Sequence, residues 1–121
     1  MKAILEELNG VVGIKGSMVI APDGMLIASE FAGIEDETAA ALASRIILTT
    51  KQSLDKLAFG DISQLVLTST HGKIVLVSAG NSFLMVLADM NTSLEHTLIE
   101  ILSAARKIKN MGKMSPKLGA Q

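Results

Sequence analysis

The chain has 121 residues, 49% of them hydrophobic and 19% charged, which excludes a disordered chain and suits one domain with its own core. Its formal net charge of -1 gives no global attraction to nucleic acid, and three Phe with no Trp or Tyr leave almost no rings for base stacking. The absence of Cys excludes disulfides, thiolate catalysis and cysteine-ligated zinc.

The first predicted element is a short amphipathic helix over Lys2–Asn9, with Gly10 as its stop. Glu6 and Glu7 lie where a secretory signal would need apolar residues. No apolar run approaches the roughly 20 residues of a membrane span. We therefore expect a cytoplasmic protein with no membrane insertion and no nucleic-acid partner.

Two strands and a long helix follow. The strands are predicted over Ser17–Ala21 and Met25–Ser29, and Pro22-Asp23-Gly24 between them is a strong turn signal. The helix is predicted over Asp36–Phe59, with acids in its first turn, where the helix dipole favours them, and Gly60 as its end.

Three more strands are predicted over Ser63–Thr70, Lys73–Ala79 and Phe83–Ala88. The links between them are too short for a parallel crossover, so these strands are antiparallel. Their long apolar runs do not alternate with polar residues, which indicates that both faces of the sheet are covered. We expect the first and last helices on one face and the middle helix on the other.

The last helix is predicted over Ser93–Asn110, with one apolar stripe formed by Leu94, Leu98, Ile101, Leu102, Ala105 and Ile108. The chain has no acid after Glu100 but five basic residues. Most of these suit a helix C-terminus, and a membrane-surface role is the alternative interpretation. We expect a single domain over residues 1–110 and a flexible basic tail over 111–121.

The predicted order is α-β-β-α-β-β-β-α, an α/β (α+β) fold with a five-stranded antiparallel sheet and helices on both faces. The middle helix carries apolar residues over an unusually wide arc: Ala39, Ala40, Leu42, Ala43, Ile46, Ile47, Leu54, Leu57 and Ala58. Ala41 and Leu48 lie outside it. The arc is either one thick core contact with a stray exposed Leu48, or part of a protein interface. We favour the interface, which predicts a dimer.

No catalytic constellation is apparent in the sequence. Gly10, Gly13 and Gly16 do not have the spacing of a phosphate-binding loop. His71 and His96 have no carboxylate cluster with metal-ligand spacing beside them. We expect no enzyme activity, no catalytic residues, no metal and no cofactor.

The same residues resemble the Roadblock/dynein light chain family and its MglB-like branch. The resemblance extends from Leu5 to about Ile108. It rests on the opening helix with Val11-Val12-Gly13-Ile14-Lys15-Gly16, the hairpin Ala21–Ala28, the Ala-rich middle helix, and the runs Gly72–Val77 and Phe83–Ala88. It implies a homodimer or a heterodimer with a paralogue, in which the middle helices pack together and the third strands pair.

The implied dimer contacts are Ala39, Leu42, Ala43, Ile46 and Ile47 on the helix, and Gln64, Leu65, Val66, Leu67 and Thr68 on the strand. The resemblance also implies a Ras-like small GTPase as partner, which the chain would regulate or localise as a scaffold. Our candidate contacts for it are Ala41, Arg45, Leu48 and Gln52, one strip of the middle helix. Arg45 is either an arginine finger or, the simpler interpretation, a solvated helix residue. The alternative function is a PAS- or GAF-type small-molecule sensor.

Overall fold

A computed structural model describes residues 1–31 and 35–119, and the side chains of that part up to residue 112. The elements are α1 (Lys2–Asn9), β1 (Ile14–Ile20), β2 (Leu26–Glu30), α2 (Asp36–Lys56), β3 (Gln64–Thr68), β4 (Lys73–Ser78), β5 (Phe83–Ala88) and α3 (Leu94–Gly119). This confirms the order expected from the sequence. The predicted bounds of α1 and β5 are also confirmed.

The five strands form one antiparallel sheet in the order β2-β1-β5-β4-β3. The first strand therefore lies between its hairpin partner β2 and the distant strand β5. The last two places in the sheet belong to β4 and β3, so β2 and β3 are the edge strands.

Two apolar layers cover the two faces of this sheet, as the apolar strands indicated. Successive residues of β1 point to opposite faces: Met18 packs with α2, whereas Val19 packs with α1 and α3. Leu5 of α1 and Ile101 of α3 are fully buried in the second layer. The helices are thus distributed as expected, with α1 and α3 on one face and α2 on the other.

The first hairpin turns at Pro22-Asp23-Gly24, as its composition predicts. The Gly24 amide donates to the Ala21 carbonyl over 2.9 Å, and the Asp23 carboxylate accepts from the Met25 amide over 3.0 Å. Gly24 has φ of 93°, a conformation that glycine adopts at little cost.

The second helix ends earlier than its sequence suggests. Gly60 does have positive φ, but the helix stops at Lys56 and the first left-handed residue is Ala58, with φ of 57°. The Ala58 amide donates to the Asp55 carbonyl over 3.1 Å, and the Phe59 amide donates to the Leu54 carbonyl over 3.0 Å. These two bonds form a Schellman motif, in which an alanine occupies the usual glycine position.

The third helix continues past the predicted end at Asn110 to Gly119. Gly112 lies inside it, because a single glycine costs only about 1 kcal/mol relative to alanine and does not by itself end a helix. Residues 120 and 121 of the predicted tail lie outside the described residues. Its flexibility, and the boundary at residue 110, stay predictions.

Candidate interaction surface

The inner face of α2 packs on the sheet of its own protomer. Three of the five helix residues expected at a dimer contact, Ala39, Ala43 and Ile47, are at most 5% exposed and belong to the core over β1, β4 and β5. The other two remain accessible, since Leu42 is 55% exposed and Ile46 is partly exposed. The part of the proposed helix contact that a partner can reach is therefore Leu42 and Ile46.

These two residues line an apolar groove beside the helix. The groove encloses about 520 Å³, and its other lining residues are Arg45, Thr49, Thr50 and Ile74. It exists because α2 lies closest to β1 and β2, so the β4 residue Ile74 is only partly covered. A smaller apolar cavity of about 90 Å³ lies next to it, between Leu42, Ile46, Phe31 and Met85.

The sequence predicted a wide apolar arc but not this groove. The groove depends on where α2 lies across the sheet, which helical periodicity does not specify. Phe31 and Ile74 come from outside the helix, and no pattern in the sequence joins them to it. Ile74 is partly exposed because it lies near the start of β4, whereas the middle residues Val75, Leu76 and Val77 are buried.

The outer strip of α2 is exposed along its length. Ala41, Arg45, Leu48 and Gln52 are all accessible, and Leu48 is 56% exposed. Arg45 also borders the groove, so the strip and the groove form one continuous surface. Among the described side chains, ion pairs join Lys2 to Glu30 and Lys107 to Glu7, and Arg45 makes none.

The edge strand β3 continues this surface at the border of the sheet. Its five residues Gln64, Leu65, Val66, Leu67 and Thr68 include no charge and no proline, and only Leu65 is less than about a third exposed. Leu65 and Leu67 pair with Leu76 and Ile74 of β4, which places them on the face that carries α2. An unprotected, uncharged edge of this kind is open to pairing with another strand.

The opposite edge is protected. A register shift between Val19 and Ile20 disrupts the pairing of β1 with β2, and α1 packs along β2. The carbonyl of Glu30 accepts a hydrogen bond from the Asn9 amide group over 2.7 Å, and its carboxylate lies 3.4 Å from the Lys2 ammonium. Bulges and charges are the usual means of blocking an edge, so of the two edges β3 is the one free to pair.

The candidate metal ligands and the glycine-rich link were also located in the described part of the chain. In the part of the chain that the structure describes, no three His, Asp or Glu side chains lie close enough to hold a metal ion. His71 lies in the β3–β4 turn with its Nδ1 2.8 Å from the Thr70 hydroxyl. Gly13 has a structural role: its φ is 93°, and a Cβ there would clash with the Thr92 side chain.

The helices are also too short or too polar to cross a bilayer. Over residues 1–31 and 35–119, no helix combines the length and the hydropathy that a membrane span needs.

Comparison with known proteins gives one consistent result. Residues 1–89 match the family model of the Roadblock/LC7 domain. The uncharacterized protein MJ1340 of Methanocaldococcus jannaschii is 38% identical over 109 residues, which cover 89% of this chain and 96% of that protein.

Two solved structures are similar throughout. Myxococcus xanthus MglB superposes with a TM-score of 0.88 at 16% identity, covering 93% of this chain and 94% of its own. An MglB with a tetrameric arrangement superposes with a TM-score of 0.83 at 18% identity, covering 93% and 87%. At such identities the likeness shows a shared fold.

Proposed function

Since the chain belongs to the Roadblock/LC7 domain family, we propose that it is a non-catalytic regulatory or scaffold subunit that dimerises and binds a Ras-like small GTPase. The observation that carries this proposal is the continuous surface formed by the outer strip of α2, the groove beside it and the uncharged edge β3. This surface is apolar and exposed, and it contains no metal-binding cluster among the described residues. An exposed apolar surface of this kind suits recognition of another protein.

The dimer forms through β3 and the groove together. Antiparallel pairing of two β3 strands has its two-fold axis perpendicular to the sheet, so both copies keep α2 on the same face. The partner's α2 then lies beside the groove, where its Leu42 and Ile46 would cover the same residues of the first copy. A paralogue with the same features would fit equally well.

The open shape of the groove supports a macromolecular occupant. It is open along one side and its lining is mostly aliphatic, with Arg45 and two threonines as the polar members. A small-molecule site covers most of its ligand's surface, which a groove this open to solvent does not. The smaller cavity next to it, at about 90 Å³, is well below the several hundred Å³ of a typical ligand pocket. We therefore prefer a protein partner to the PAS- or GAF-type sensor.

The GTPase binds the outer strip of α2 in this proposal. Leu48 is its anchor, because a leucine that is more than half exposed on a helix contributes most when a partner covers it. Ala41 allows close approach, and Arg45 and Gln52 offer hydrogen bonds to the partner. The chain supplies no nucleotide-binding loop, so the nucleotide belongs to the GTPase and the effect on it is regulation or localisation.

The test measures binding of a purified Ras-like GTPase from the same genome, loaded with GDP or with a GTP analogue. We expect binding that depends on the nucleotide and that Leu48→Asp abolishes. The control is Ile99→Asp, which alters an exposed leucine-sized residue on α3, on the opposite face of the sheet, and leaves binding intact. Equal loss with both variants, or no binding in either nucleotide state, would refute the GTPase assignment.

A further inference from the structure

A second exposed surface lies on the opposite face of the protein, along α3. Positions 95, 99, 102, 106 and 109 recur every three or four residues, so they share one side of the helix. We call this side the α3 outer strip. Ile99 is 66% exposed on it, and Leu102, which the sequence placed in the buried stripe, is 36% exposed. The other predicted stripe residues Ile101, Ala105 and Ile108 are buried.

The α3 outer strip is polar and basic towards its C-terminal end. Arg106 and Lys109 are exposed, and the helix continues through positions 113 and 117, which are both lysines. Among the described side chains, Lys107 pairs with Glu7 over 3.8 Å, whereas Arg106 and Lys109 make no ion pair. The strip thus presents two exposed cations, Arg106 and Lys109, that have no ion-pair partner among the described side chains.

The charge of the whole chain also differs between its C-terminal end and the rest of the sequence. Residues 106–121 contain five basic and no acidic residues. Residues 1–105 contain six basic and twelve acidic residues, a net charge of -6. The overall charge of -1 is therefore the sum of a cationic C-terminal end and an anionic domain. The cationic end orients the protein towards an anionic surface.

We propose that the α3 outer strip docks the protein peripherally on an anionic lipid surface. A convex helix side of this kind can lie flat on a bilayer, with its cations among the headgroups, and needs no matching groove. Ile99 and Leu102 favour lipid over nucleic acid, because apolar residues next to cations suit the boundary between headgroups and acyl chains, and Glu95 lies at the far end of the strip from the cations. Docking of this kind needs no membrane-spanning helix.

The expected affinity is modest and dependent on salt. Each Lys or Arg near an anionic bilayer contributes about 1 kcal/mol, or about fivefold in partitioning. Removing the charges of Arg106 and Lys109 should therefore lower partitioning about 25-fold. The attraction should weaken at high ionic strength, because the Debye length falls to a few Å.

The test is co-sedimentation of the full chain with vesicles of phosphatidylcholine, with and without phosphatidylglycerol. The variant is the double change Arg106→Gln and Lys109→Gln. Its matched control is Lys51→Gln and Lys56→Gln, which removes the same charge from exposed positions of α2. We expect binding to the anionic vesicles alone, lost about 25-fold in the α3 variant and retained in the control. Circular dichroism checks that each variant is folded.

A third variant distinguishes binding to lipid from binding to other polyanions. Ile99→Ser should lower vesicle binding severalfold and leave any binding to duplex DNA or polyglutamate unchanged. Equal binding to neutral and anionic vesicles would overturn the proposal. So would equal loss in both double variants, because net charge alone would then explain the binding. Binding to DNA or polyglutamate without binding to vesicles would also refute it.

Discussion

Replacing Ala58 by glycine should stabilise the protein, because this residue closes α2 in a conformation that disfavours alanine. Its φ of 57° lies in the left-handed region, where a side chain costs about 1–2 kcal/mol relative to the right-handed helix. Glycine removes this cost but loses more backbone entropy on folding, about 0.5–1 kcal/mol. The two hydrogen bonds of the Schellman motif use backbone atoms and persist. The expected gain is about 0.5–1 kcal/mol.

The assay is urea unfolding at a fixed protein concentration, since an associating protein gains apparent stability from its partner. A gain of this size corresponds to roughly 3 °C in Tm for a domain of this length. The control is Ala41→Gly, the same substitution at an exposed position inside the same helix, which should destabilise by about 1 kcal/mol. If Ala58→Gly is destabilising, or if both variants change stability alike, Ala58 does not close α2 in a left-handed conformation.

Two further predictions concern the link before β1 and the sheet edge. Gly13→Ala should lower stability by about 2 kcal/mol or more in urea unfolding, because the new Cβ meets Thr92 and the positive φ disfavours it. An unchanged midpoint would refute this close approach. Val66→Lys should raise the dissociation constant of the dimer about fivefold or more, measured by analytical ultracentrifugation, because a charge blocks edge pairing. The thermal stability of the dilute protein should change little, and unaltered self-association would exclude pairing through β3.

Much of the fold was predictable because local signals and hydrophobic patterning agree. The turn at Pro22-Asp23-Gly24 and the unbroken apolar strands specify a hairpin and a sheet covered on both faces, and the structure has both. The end of α2 was placed too late, because Gly60 is the obvious stop signal and nothing in the sequence marks Ala58 as left-handed.

The surface was harder to predict than the core. Helical spacing groups Ala39, Ala43 and Ile47 with Leu42, but it does not say which side of the arc meets the sheet of the same protomer. The lateral position of α2 on the sheet decides this. That position buries Ala39, Ala43 and Ile47 and leaves Leu42 accessible. Leu102 was misplaced for the same reason, because it lies at the margin of a stripe whose centre packs on β4 and β5.

The exposed leucines of α2 give a matched pair for a test of self-association. Leu42 and Leu48 lie six residues apart and are 55% and 56% exposed, but only Leu42 lines the groove. Covering the exposed half of a leucine side chain stabilises a contact by about 1–1.5 kcal/mol. A two-fold symmetric dimer contains this contact twice, once from each copy. Leu42→Asp should therefore weaken the dimer about 100-fold or more, whereas Leu48→Asp should leave it intact.

The most direct measurement of the central claim is sedimentation equilibrium of the wild-type chain and these two variants at high micromolar concentration. We expect twice the chain mass of 12.7 kDa for the wild type and for Leu48→Asp, and the mass of one chain for Leu42→Asp, as follows from dimerisation through the groove. A wild-type protein that is monomeric under these conditions, or a Leu42→Asp variant that associates as the wild type does, would contradict it.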